Sequence, residues 1–232
     1  TIMSLANSYL EELETVIEHC TQVDQGQFTP SDFPFATLDQ AHLDALATNS
    51  DISDMYDLSP MQGLMLLYAK IGNQHDVLFN QFVYDLSGPL NLDAYRQAWQ
   101  LMIDRHPALR TKFVWQESKD PIQIVENQAL LPWNVIDWRS LNSAEIESRL
   151  DQFLKTDRDT GFDSQQAPMM RITLIRLANN QTSMVWSSHH LIIDRWCIGI
   201  LFDEVKTAYE AFVAGKRPTL RPAPRYRDYL AW

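Results

Sequence analysis

Two adjacent histidines and a carboxylate close behind them form the densest set of reactive groups in the chain: Ser187-Ser188-His189-His190-Leu191-Ile192-Ile193-Asp194. Imidazole gains and loses a proton near neutral pH, and a nearby carboxylate can orient it or steady its charged form. The set is therefore suited to proton chemistry. It is poorly suited to a metal ion. Adjacent side chains on a strand point to opposite faces, so His189 and His190 could not easily share one ion. The spacing of His190 and Asp194 would suit a metal only on a helix, and no third ligand is evident. The expectation is no metal.

The surrounding elements must hold these groups. Met170 to Leu177 and Ser183 to Ser188 read as strands, joined by a hairpin turn at Asn179-Asn180. The histidines then fall at a strand end. Trp196, Ile200, Leu201, Val205, Tyr209 and Phe212 predict an amphipathic helix, which Gly215 ends. Upstream, Ser59 and Pro60 predict a helix start, and the helix runs to about Lys70. Phe79 to Leu86 reads as a strand, and Asn91 caps a helix that Pro107 ends. Leu109 to Trp115, Ile122 to Val125 and Trp133 to Trp138 are further predicted strands, and Ser143 is the predicted cap of another helix. Strands and helices mix throughout, so the class is α/β or α+β. Trp186, Trp196 and Cys197 are expected in the core.

Composition excludes several classes. With 232 residues and 45% hydrophobic content the chain can bury a large core. No apolar run approaches a membrane span, and no basic leader predicts secretion. Cys20 and Cys197 do not make a disulfide framework, and a reduced cytoplasmic setting fits best. No glycine-rich phosphate loop follows a strand, which leaves a nucleotide-binding reading without support. A net charge of −11 argues against a nucleic-acid partner. That charge is segregated. Eleven carboxylates and no lysine or arginine precede Lys70, and the rest of the chain is neutral. A segment boundary is expected near residues 50–57. Residues 4–20 read as a helix with Leu10, Leu13 and Ile17 on one face, and residues 21–37, with Gly26, Pro30 and Pro34, read as a linker. Leu38 to Leu46 is a short predicted helix. Residues 1–50 are then either a solvated acidic leader or the tail and linker of a preceding domain.

Four stretches together resemble one family. His189 to Asp194 resembles the HHxxxDG signature of condensation domains in nonribosomal peptide synthetases. Leu58-Ser59-Pro60-Met61-Gln62-Gly63-Leu64-Met65 is similar to its opening motif, and Arg105-His106-Pro107-Ala108-Leu109-Arg110-Thr111-Lys112-Phe113 to RHxxLRTxF. Tyr226-Arg227-Asp228-Tyr229-Leu230-Ala231-Trp232 is similar to YRDYxxW. The four occur in the family's order over about 175 residues of the chain.

The resemblance implies an α/β, chloramphenicol-acetyltransferase-like lobe, a mixed sheet flanked by helices. Complete condensation domains have two such lobes in a V with a tunnel between them. Residues 51–232 correspond to the N-terminal lobe, so the chain is expected to be a half-domain, inactive alone. Residues 1–50 correspond to the terminal helix and linker of an upstream domain, most often an epimerisation domain, in which case the donor would be a D-configured residue. The implied reaction is peptide-bond formation. A donor thioester and an acceptor amine arrive on phosphopantetheine arms of upstream and downstream carrier domains, with no tightly bound cofactor. Adjacent synthetase domains and the missing C-terminal lobe are the other implied partners, with neither nucleic acid nor membrane. His190 takes the catalytic position. His189 is expected to be structural, Asp194 to be a salt-bridge partner of an arginine, and Arg105 and Arg110 to be structural ions. Arg195 stands where the motif has glycine, and it is expected to adopt helical dihedrals at a helix N-terminus. Two alternatives accompany this reading: a non-catalytic docking or scaffold fragment, and a small-molecule acetyltransferase of the chloramphenicol type.

Overall fold

A computed structural model describes residues 2–22, 28–47, 51–71, 78–115 and 120–232. Gly26 of the expected linker and the side chain of Cys20 lie outside the described residues. The elements run in the order α1 (Ile2–Gln22), α2 (Gln40–Ala47), β1 (Ile52–Asp57), α3 (Pro60–Ile71), β2 (Phe79–Ser87), α4 (Leu92–Arg105), β3 (Thr111–Val114), β4 (Ile122–Glu126), β5 (Trp133–Asp137), α5 (Ser143–Thr160), β6 (Met170–Ala178), β7 (Gln181–His189), α6 (Arg195–Val213) and α7 (Tyr226–Ala231). Short 3-10 turns occupy Pro30–Asp32 and Pro107–Arg110. Among the described residues no helix is long and apolar enough to cross a membrane.

The strands form two sheets. One has the order β2-β7-β6-β5, the other β1-β4-β3. In the larger sheet β7 is central, antiparallel to β2 on one side and to β6 on the other, while β5 runs parallel to β6. A strand flanked on both edges has its backbone amides and carbonyls paired along its length, which makes the end of β7 a rigid platform.

Strand alternation divides the core. Met184 and Trp186 of β7, with Ile172 and Leu174 of β6, pack against Trp99, Met102 and Ile103 of α4 and Leu201 and Val205 of α6. Val185 and Ile175, of opposite parity, pack with Trp138 and against Ile146, Leu150 and Phe153 of α5. A third cluster joins Leu43 and Leu46 of α2 to Ile52, Met55, Ile122 and Ile124 of the smaller sheet.

Helix starts follow the expected chemistry. Ser59 and Gln62 cap α3 reciprocally: Ser59 Oγ accepts from the Gln62 amide at 3.3 Å, and Gln62 Oε1 accepts from the Ser59 amide at 3.0 Å. Asn91 caps α4 through the Ala94 amide. For α5 the cap is Asn142 in a box with Glu145, one residue before the expected Ser143. Two elements differ from expectation. Residues 52–57, expected only to open the globular part, form strand β1. Leu109 and Arg110, expected to begin a strand, complete a 3-10 turn that Pro107 opens. Along α1 the residues Leu10, Leu13 and Ile17 are exposed.

Candidate active site

The paired histidines sit where β7 ends. His189 is the last residue of the strand, opposite Phe79 of β2. His190 is the first residue beyond it, and its amide donates to the Leu78 carbonyl at 2.8 Å. The two side chains therefore have different surroundings. His189 is 8% exposed. Its Nδ1 accepts from the Leu191 amide at 3.2 Å, and its ring meets Phe162 edge-on at 6.5 Å. Burial, and secondarily the charge of His190, push its pKa down to about 4, so it is neutral at pH 7.

His190 is only partly buried. Its Nδ1 lies 2.9 Å from the Ile193 carbonyl oxygen. A carbonyl oxygen can only accept, so Nδ1 must carry the hydrogen. In the neutral ring this leaves Nε2 with its lone pair available, which is the state a general base requires. The turn of Leu191, Ile192 and Ile193 that presents this carbonyl is itself buried. Its apolar residues thereby anchor the ring orientation.

Asp194 differs from expectation. Instead of pairing with an arginine, its Oδ1 accepts from the amides of Trp196 at 2.9 Å and Cys197 at 3.0 Å, and so it caps α6. Burial works against its charge, but hydrogen bonds from Cys197 and Trp196 outweigh it and hold its pKa below the usual carboxylate value. The replacement has a physical reason. A carboxylate just before a helix satisfies otherwise unpaired amides and meets the positive end of the helix dipole. Arg195 is the first residue of that helix, in the helical conformation that its side chain requires. Burial raises the pKa of the Cys197 thiol, which the carboxylate of Asp194 reinforces.

The two motif arginines lie away from the histidines. Arg105 holds Glu204 of α6 in a fork, Nε to Oε2 and Nη2 to Oε1, both 3.0 Å. It also donates to the Arg221 carbonyl. Glu204 further contacts His106 at 2.6 Å. Arg110, expected to be a structural ion, donates instead to the carbonyls of Glu126 and Asn127.

Trp186 is fully buried as expected, but Trp196 is 88% exposed. Helix geometry accounts for this. Leu201, Val205 and Ala208 define the buried stripe of α6, and Trp196 lies about 140° around the axis from Leu201. Cys197 is half-buried.

The structure also shows a polar cluster beneath β7 that sequence reasoning missed. Asp157 of α5 accepts from Ser187 Oγ at 2.5 Å, from Gln81 at 2.6 Å and from Arg171 at 2.5 Å. The Arg171 guanidinium lies over the Phe162 ring at 4.4 Å, the same ring that meets His189. No local pattern links residues on four separate elements. Their only signal was the parity of Ser187 with His189. A cavity of about 360 Å³ opens beside them, lined by Leu66, Phe113, Trp115, Phe162 and His189 among others.

The comparisons with known proteins bear on the family and the fold. The condensation-domain family model matches residues 52–232. The chain is 39% identical to part of a linear gramicidin synthase of Brevibacillus parabrevis over 236 residues, and 28% identical to bacitracin synthase 1 of Bacillus licheniformis over 235. Each match covers the whole of this chain but 4% of the relative. Among solved structures, the starter condensation domain of rhizomide synthetase aligns with a TM-score of 0.68 at 19% identity, over 77% of this chain and 44% of that one. The first condensation domain of the calcium-dependent antibiotic synthetase gives 0.68 at 16% identity, over 78% and 44%. The fold is the chloramphenicol-acetyltransferase-like fold of those domains. The chain belongs to the condensation-domain family of nonribosomal peptide synthetases.

Proposed function

We propose that the chain supplies one wall of an amide-bond-forming site in which His190 serves the attacking amine. The donor is an aminoacyl or peptidyl thioester on the phosphopantetheine arm of an upstream carrier domain, and the acceptor amine is borne by a downstream one. The amine nitrogen attacks the thioester carbonyl, and the carbon–sulfur bond breaks as the amide forms. The nitrogen's surplus proton passes to His190 Nε2 and then to the departing thiolate, so the products are an amide and a free thiol. The observation that carries this reading is the hydrogen bond from His190 Nδ1 to the Ile193 carbonyl, which leaves Nε2 as the acceptor. An α-amino group has a pKa of about 8, so a neutral fraction exists without a base, and the ring also acts by holding the amine in line. His189 cannot replace it, because it is buried and its Nδ1 is occupied.

The chain spans 44% of the rhizomide synthetase domain, and the reading assigns the opposite wall to the remainder of that fold. The test is dipeptide formation from donor- and acceptor-loaded carrier proteins by the complete domain. His190→Ala is expected to lower the rate by about 10²–10⁴-fold, as for a general base. A loss below about tenfold would overturn the proton-transfer role and leave positioning. Run in parallel, this chain alone is expected to form no dipeptide, and turnover comparable to that of the complete domain would overturn the half-site assignment.

A further inference from the structure

A second, larger cavity, of about 660 Å³, lies apart from the histidines, and its lining includes neither them nor Asp194. It is bounded by the C-terminal end of α4 with its following 3-10 turn, by β1 and β4, and by the segment leading into α7. Two of the sequence motifs that the peptide-bond chemistry leaves without a direct part meet here. Arg105 and Arg110 come from one, Arg227 from the other, and Arg225 from just before it. Four guanidinium groups thus surround one cavity in a chain whose net charge is −11.

Not all of that positive charge is compensated. Asp54 takes Arg227 at 2.9 Å, and Glu204 takes Arg105 in its fork. Arg110 meets only neutral carbonyls, and its Nε is buried with no hydrogen-bond partner. Arg225 is exposed, and its charge reaches Asp54 only at longer range, without a close ion pair among the described residues. Asp54 and Glu204 set against the four arginines leave two positive charges over. An oxyanion in the cavity would meet the charge of Arg110 and Arg225, both of which line it. Guanidinium presents a planar fork that matches the oxygens of phosphate. The volume lies within the roughly 300–1,000 Å³ typical of small-molecule pockets and far exceeds a bare phosphate. Leu101 and Leu220 provide apolar walls for the remainder of a ligand.

We propose that this cavity binds a phosphate ester of a small organic molecule, with its phosphate on Arg110 and Arg225 and its organic part against Leu101 and Leu220. The site differs from a glycine-rich phosphate loop in using side-chain charge rather than backbone amides. It is independent of the histidine chemistry.

Isothermal titration calorimetry on the 232-residue chain tests it, with phenyl phosphate, inorganic phosphate and benzoate as probes and ionic strength held constant with sodium chloride. Phenyl phosphate is expected to bind saturably with one-to-one stoichiometry, more tightly than either inorganic phosphate or benzoate. Arg225→Gln and Arg110→Lys should each weaken it about tenfold or more, as loss of a charged hydrogen bond implies. Arg225 is exposed, so its replacement tests the site without risk to the fold, and circular dichroism checks the Arg110→Lys variant. His190→Ala should leave the affinity unchanged. Absence of saturable binding by the folded chain overturns the proposal, as does affinity unaffected by both arginine substitutions. Benzoate as tight as phenyl phosphate overturns the preference for phosphate, and inorganic phosphate as tight as phenyl phosphate overturns the assignment of an organic part.

Discussion

His189 and His190 are chemically identical and one residue apart, yet strand termination gives them opposite tasks. His189 ends the ladder and is sealed beside Phe162. His190 leaves the ladder and turns its Nδ1 onto a carbonyl three residues on. The pair was legible as a site of proton chemistry from residue type alone, and alternation separated the two side chains. The tautomer was not legible, because it depends on where the Ile193 carbonyl lies after the turn. Burial of neutral His189 has a consequence for stability. Its pKa is about 4 in the folded chain against about 6.5 unfolded. Between those values the unfolded chain binds more protons, so stability is complete above about pH 6.5 and falls as pH drops toward 4. The full effect is on the order of 3 kcal/mol. Urea midpoints of the parent and His189→Gln, measured from pH 7 to pH 4.5, should converge as the pH falls, because the variant lacks this linkage. Parallel curves would show that His189 does not titrate in this way.

At the scale of elements, most of the larger sheet and its covering helices could be read in advance. The β6–β7 hairpin followed from an apolar run on each side of Asn179-Asn180, and α4 from its Asn91 cap and apolar face. Strand β1 was missed for a physical reason. Met55 and Tyr56 are regularly paired neighbours that face opposite sides of the sheet, and both are buried, so the alternation that marks a half-exposed strand is absent. Trp196 was misplaced because an apolar residue near a helix start was counted with the core stripe, from which helix geometry excludes it. The Asp194 cap is also an element-scale fact. It decides where α6 begins and hence where the carbonyl that orients His190 ends its turn. Asp194→Ala is expected to cost about 1 kcal/mol, a fall of about 2–4 °C in Tm for a chain of this size. Asp194→Asn retains an oxygen for the same amides and should recover most of the loss. An ion-pair role predicts the reverse, with asparagine as damaging as alanine and both sensitive to salt, so thermal melts of the two variants at low and high salt separate the roles.

Over the whole molecule the governing feature is the separation of charge. The first 69 residues carry acids and no lysine or arginine, so any ionic tie between that segment and the remainder must be supplied from later in the chain. Arg227 supplies one. It holds Asp54 of β1 at 2.9 Å and lies over the ring of Phe35 at 5.1 Å, thereby joining α7 to the start of the globular part across more than 170 residues. Sequence distance is why this contact could not be read in advance, although its two ends lay on marked features: the charge boundary and the last motif. Asp54 is the sensitive member. Burial raises its pKa, and the charge and hydrogen bond of Arg227 oppose that rise. Removing the guanidinium deletes two of the interactions that oppose burial and leaves only the Met55 amide and the charge of Arg225, so the pKa of Asp54 must rise further. In Arg227→Ala the unpaired carboxylate destabilises the fold while it is ionised, by about 1 kcal/mol at neutral pH for a partly exposed pair. The deficit should shrink as pH falls through the carboxylate range and Asp54 takes up a proton, because a neutral acid needs no cation. Hydrogen exchange localises the effect. The β1 amides, together with the isolated parallel bridge that Phe35 forms with Tyr56 of β1, should lose protection in the variant at pH 7, while the centre of β7 is unchanged. A stability deficit that is constant from pH 7 to pH 4, or lost protection spread evenly through both sheets, would show that Arg227 acts by packing rather than by holding the acidic segment through its charge.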